Sequence, residues 1–179
     1  MSKLKVIVFT GLPGAGKSTY AELISKKLQI PIFSVDPIES SILKSGISRS
    51  FETGYAAYLV AEKLADEHLK LGMSVIIDAV SPVIEARKMW QELSTKYGAN
   101  LRIIECILDE KIHEERIKSR VRNIYGIPEV EWNDVKIQKE NFLKWDVERL
   151  VLNTGNNKEL NIEEILTFIE DKKTTERGN

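Results

Sequence analysis

Gly11-Leu12-Pro13-Gly14-Ala15-Gly16-Lys17-Ser18 follows the apolar run Leu4 to Phe9 without a break and leads straight into the amphipathic stretch Lys17 to Leu28. It fits G-x-x-x-x-G-K-[ST] in the one context that gives the pattern meaning, after a strand and before a helix. Glycines let such a loop curl so that successive N–H groups converge on a phosphate, and the helix that follows adds the partial positive charge of its N-terminus. The triphosphate site is therefore expected at Gly11, Pro13, Gly14, Ala15 and Gly16 with Lys17, Ser18 and Thr19. Lys17 is placed to bridge the β- and γ-phosphates. Ser18, ahead of Thr19, is placed to offer its hydroxyl to a magnesium ion on those phosphate oxygens.

Outward from this loop, short runs rich in valine and isoleucine alternate with longer amphipathic stretches. Strands are predicted at Leu4 to Phe9, Pro31 to Val35, Ser74 to Asp78, Leu101 to Leu108 and Arg149 to Leu152. Each is nearly continuous in apolar residues rather than alternating, which calls for a parallel sheet covered on both faces and places the chain in the α/β class. Helices are predicted at Lys17 to Leu28, Pro37 to Lys44, Glu52 to Leu71, from Ser81 (N-cap) with Pro82 to Gly98, Asp109 to about Asn123, and Ile162 to Glu170. Ser45 to Thr53 and Asn123 to Asn133 read as loops. The expected organisation is one domain over 1–172, a lid over about 110–133, and a frayed tail at 173–179.

The chain has 179 residues and a net charge of −1. A polyanion or membrane-surface binder is disfavoured by that balance, and no stretch approaches the ~20 apolar residues of a membrane span. A single cysteine, Cys106, inside an apolar strand reads as core. With Met1-Ser2-Lys3-Leu4-Lys5 lacking a signal-peptide pattern, the expected compartment is the cytoplasm.

Three further groups carry chemistry. Asp78 ends an apolar run, Val75-Ile76-Ile77, and suits a carboxylate that contacts magnesium directly or through water; strand-end carboxylates also simply begin turns. Asp36 follows the second strand at the sheet edge where open α/β folds collect ligands, and there it can take a proton from an attacking hydroxyl. Asp36-Pro37 equally suits a helix cap. His113, Arg116 and Arg120, at i, i+3 and i+7, form one cationic helix face, either a closing lid that neutralises the transferring group or a solvated surface; Arg122 falls on another face.

Together, the loop, Ser34-Val35-Asp36, Val75-Ile76-Ile77-Asp78-Ala79, the arginine-bearing helix and Leu150-Val151-Leu152-Asn153-Thr154-Gly155 resemble the small P-loop kinases. Within them the chain is similar to the AAA-family ATP-binding proteins grouped with zeta toxins, chloramphenicol phosphotransferase and polynucleotide 5′-hydroxyl kinases, over residues 4 to 155. The resemblance implies a three-layer α/β/α sandwich with a five-stranded parallel sheet ordered 2-3-1-4-5, ATP with Mg2+, transfer of the γ-phosphate to a hydroxyl, and a helical lid. It carries Lys17 and Ser18 to phosphate and metal, Asp36 to the general base, Arg116 or Arg120 to the lid arginine, and the segment Asn153 to Gly155, with Thr154, to the loop beside adenine.

One departure matters. Polynucleotide kinases of this group have an arginine three residues after the base aspartate, and this chain has Glu39 there. A polynucleotide acceptor is thereby disfavoured, and a small hydroxyl-bearing molecule is expected. Two other readings compete: a nucleotide-dependent switch with slow hydrolysis, its loops moving, and a nucleoside or nucleotide kinase. A GTPase is disfavoured because Asn157-Lys158-Glu159-Leu160 ends in leucine where guanine recognition needs aspartate.

Overall fold

The computed structural model describes residues 3–170; the tail expected at 173–179 lies outside the described residues. The elements, in chain order, are β1 (Lys5–Thr10), α1 (Lys17–Leu28), β2 (Ile32–Ser34), α2 (Val35–Lys44), α3 (Phe51–Lys70), β3 (Val75–Asp78), α4 (Ile84–Lys96), β4 (Asn100–Ile107), α5 (Glu110–Ser119), α6 (Trp132–Asn141), β5 (Arg149–Asn153) and α7 (Lys158–Glu170). All strand pairs are parallel, in the order β2-β3-β1-β4-β5.

The continuous apolar strands behave as their composition demands. Val6, Ile7, Val8 and Phe9 of the central strand are fully buried, and their side chains part alternately to two cores. Val6 and Val8 join Trp90 and Leu93 of α4 and the stripe Ala57, Ala61, Ala65 and Leu69 of α3. Ile7 and Phe9 join Tyr20, Ala21 and Ile24 of α1 and Ile165 and Ile169 of α7. The result is three layers, α/β/α. Alanines at four-residue spacing face the sheet, so α3 can approach it closely.

Because the strands are parallel and in register at their ends, Phe9 lies opposite Asp78 and Ser34 opposite Asp78. The loops after β1, β2 and β3 therefore open on one edge, beside the point where the chain reverses its winding direction around β1.

Three helix ends differ from the sequence expectation and one helix was not expected, each for a local reason. Ser81 does not cap α4: it is buried with φ +49°, its N–H donates to the Tyr58 hydroxyl and its Oγ accepts from Trp90 Nε1, so the helix starts at Ile84. α5 stops at Ser119, with Arg120 already extended at φ −80°, ψ 146°. α7 begins four residues early, where the Asn157 side chain accepts from the Leu160 N–H. An additional helix, α6, forms where no apolar stripe announced one; a capping box of Glu131 and Asp134 starts it, and Val135 is its one buried residue. The chain leaves α6 under the grip of Arg87, which is buried, donates to the carbonyls of Ser81, Leu143 and Lys144, and lies against the rings of Phe142 and Trp145. Among the described residues no helix is long and apolar enough to cross a membrane.

Candidate active site

The phosphate-cradling geometry comes from how the loop's carbonyls are held. Leu12 O accepts from Lys17 Nζ at 3.1 Å, Pro13 O from His113 Nε2 at 2.7 Å, and Ala15 O from Thr154 Oγ1 at 2.8 Å. Arg116 Nη1 reaches to 3.5 Å from both Gly14 O and Thr154 Oγ1. Each peptide is planar and trans, so carbonyls drawn outward turn the N–H groups of Gly14 and Gly16 to the opposite side, the inside of the curl. At Gly14 the backbone has φ +81°, which side chains rarely adopt, and a Cβ there would lie 2.5 Å from Ile117 Cδ1 of α5, forcing that side chain to shift.

A cavity of about 970 Å³ opens over this loop. Of the residues singled out from sequence, Pro13, Gly14, Gly16, Lys17, Ser18, Thr19, Asp36, Asp78, Arg116, Arg120 and Thr154 line it. Gly11 and Ala15 instead face a smaller cavity of about 350 Å³ behind the loop. Cys106 also borders that smaller cavity; burial pushes its thiol up to about 12, which suits core rather than a nucleophile.

Charge is concentrated and poorly hydrated. Lys17 and Asp78 are both buried; burial lowers the ammonium's pKa and raises the carboxyl's, each partly opposed by the other's charge, and the Ser18 and Ser34 hydroxyls donate to Asp78. Arg120 has its Nε and Nη2 buried with no partner among the described residues, and burial followed by the nearby Arg122 lowers its pKa. An anionic group entering the cavity would satisfy these donors. Ser18 and Asp78 supply one hydroxyl and one carboxylate, the modest donor set that suits magnesium completed by phosphate oxygens and water.

Three sequence expectations need correction. Asp36 is not a cap; it lies in the first turn of α2, whose N-cap is Ser34, and its Oδ2 accepts from Arg122 Nη1 at 2.5 Å. Arg122 therefore does not point away from the site. The early end of α5 swings it out of the helical register that the spacing implied. Its segment is fastened on α2 by Ser40 Oγ donating to Tyr125 O at 2.8 Å. Nor is the face of His113, Arg116 and Arg120 uniformly cationic. His113 is buried, its Nε2–H donates to Pro13 O, and its ring meets Trp132 edge-on. Burial lowers its pKa, which favours the neutral ring in the folded protein.

That neutral imidazole makes a pH prediction. The unfolded chain binds the proton more readily than the folded one, so the contribution is present above the ordinary imidazole value of ~6.5 and is lost as pH falls below it. Urea midpoints measured from pH 8 downward are expected to fall through that range, and more shallowly in His113→Gln. Equal slopes in the two proteins would remove His113 as the cause.

Sequence reasoning missed Arg49, Arg122, Asn156 and Lys158, which also line the cavity. Arg49 sits in a loop with no periodicity to orient it, and Arg122 sat behind a helix extrapolated too far.

Comparison with known proteins agrees with this architecture. The chain is 29% identical over 134 residues to the bifunctional polynucleotide phosphatase/kinase of Schizosaccharomyces pombe; the match covers 74% of this chain and 29% of that relative's length. It is 29% identical over 132 residues to the adenylate kinase of Mycolicibacterium vanbaalenii, 65% of this chain and 68% of the relative. Among solved structures, the APS kinase of Mycobacterium tuberculosis in complex with AMPPNP and APS superposes with a TM-score of 0.69 at 18% identity, covering 96% of this chain and 100% of that one. The shared fold is that of the P-loop kinases. Residues 6–142 match the family model AAA_33, described as an AAA domain, and the chain belongs to that family.

Proposed function

We propose that this protein transfers the γ-phosphate of ATP to a hydroxyl of a small acceptor. The observation that carries the reading is the shared cavity: a loop whose Pro13 and Ala15 carbonyls are held by His113 and Thr154, with Lys17, Arg120 and the Asp36 carboxylate lining the same space. Relatives that are kinases of several acceptor classes support it.

In this reading the N–H groups of the loop and Lys17 hold the β- and γ-phosphates, and Arg116 and Arg120 face charge that spreads over the transferring group. Ser18 and Asp78 would hold Mg2+, which supplies neutralisation of phosphate charge. Asp36 accepts the proton of the acceptor hydroxyl as its oxygen bonds to Pγ, and the bond from Pγ to the bridging oxygen breaks to release ADP. Before that, Asp36 exchanges its Arg122 partner for the hydroxyl, and Arg122 turns to phosphate. The segment 110–133 acts as the lid in this scheme, and Thr154 with Asn156 and Lys158 forms the nucleotide's far wall.

Transfer of labelled γ-phosphate from ATP across a panel of sugars, polyols, hydroxy acids and nucleosides tests it. With an acceptor in hand, Asp36→Asn is expected to slow transfer about 10²-fold while leaving nucleotide affinity nearly unchanged. Wild-type rates in Asp36→Asn would remove the base; nucleotide uptake with no acceptor phosphorylated would favour the switch reading.

A further inference from the structure

Three residues beyond Asp36 on the same face of α2, Glu39 does something its type alone does not predict. Its side chain is 7% exposed, accepts a hydrogen bond from Thr53 Oγ1 at 3.0 Å, and lies 3.3 Å from Arg49 Nε. Burying a carboxylate is costly unless partners compensate it, and here the compensation fixes one edge of an arginine. The guanidinium is a planar fork, so an Nε committed to Glu39 leaves the Nη groups projecting beyond it. Among the described residues those Nη groups take no hydrogen bond or ion pair. Arg49 is half exposed and lines the same cavity as Asp36.

The cavity's other arginines have different attachments. Arg116 leans on the phosphate loop and Thr154, and Arg122 on Asp36. Arg122 is tied to α2 at the candidate base itself, whereas Arg49 is held through Nε one step further along α2, at Glu39, beside that base. We propose that Arg49 is the anion-recognising residue of the acceptor subsite, so that the acceptor carries a carboxylate or phosphate besides the hydroxyl it presents to Asp36. This rests on the kinase reading above. Asp36 and Glu39 are three residues apart, a rise of ~4.5 Å along α2, so Arg49 held at Glu39 sits close to the candidate base and the hydroxyl and anion belong to one compact molecule. The net charge of −1 favours a single anionic group over a polymer of them.

Protein saturated with Mg·ADP is titrated calorimetrically with glycerol, glycerate and glycerol 3-phosphate as probes. Both anions are expected to bind at least about tenfold more tightly than glycerol, and Arg49→Gln to abolish that preference. Preference for glycerate over glycerol 3-phosphate identifies a carboxylate as the recognised group, and the reverse a phosphate. The double variant Glu39→Gln/Arg49→Gln, which leaves no buried carboxylate unpaired, gives the same loss if Arg49→Gln fails to fold. Equal affinities for the three probes, binding of none, or an anion preference surviving in either variant overturns the proposal. Failure of the wild type to take up Mg·ADP at all is the distinct outcome that removes the kinase reading itself.

Discussion

Replacing Lys17 by alanine is expected to lower γ-phosphate transfer on the order of 10³-fold, more than any other single change in the cavity. Phosphoryl transfer is mostly positioning and neutralisation, so a group that faces the migrating charge outweighs one that only receives a proton. The location of Lys17 strengthens the case. Its ammonium is buried, with Asp78 as its first electrostatic partner and the Leu12 carbonyl as its hydrogen-bond acceptor, so the pocket holds it rigidly in a medium of low polarity. Removing it also leaves Asp78 buried without its countercharge. The variant should therefore lose Mg·ATP affinity together with turnover, read by calorimetry and single-turnover transfer. A variant that keeps both within about threefold of wild type would contradict the assignment.

Gly11→Ala is expected to produce the largest loss of stability, on the order of 4 kcal/mol. At φ +131° the backbone occupies a region that side chains rarely tolerate, which alone costs about 1–3 kcal/mol. A Cβ built there would lie 2.3 Å from the carbonyl oxygen of Cys106, a backbone atom of β4 with no freedom to step aside. The new methyl must push β1 from β4 at the sheet's centre or distort the loop that follows. Urea unfolding should show a lower midpoint with a similar slope, and a midpoint equal to wild type would contradict the packing argument.

How far the sequence carries depends on the kind of signal. The phosphate loop and the layered sheet were legible because glycine spacing and unbroken apolar runs are local signatures of geometry. The strand order came from the resemblance, not from periodicity. Asp36 was found, but both a cap and a base fitted its letters; the early start of α2 at Val35 removes the cap, and its partner Arg122 is 86 residues away, beyond a helix end that nothing local marks. Ser81 had a helix-cap composition, and the tertiary pull of Tyr58, Trp90 and Arg87 overrode it. α6 escaped notice because a helix that buries only Val135 has no stripe to read. Glu39 was legible as a departure from a pattern, but its grip on Arg49 exists only once α2 and the start of α3 are folded together.

The family match ends at residue 142, short of β5 and α7. Yet Thr154 supplies the hydroxyl behind Ala15, and Asn161 ties β5 back to α1 through Asn153 O and the Tyr20 hydroxyl. A gene fragment trimmed to the matched span would excise the wall against which the nucleotide grip is braced and strip Ile165 and Ile169 from one core. Recombinant work that takes its boundaries from family resemblance alone would therefore yield a severed, sticky product, and a workable minimal clone must run on through α7.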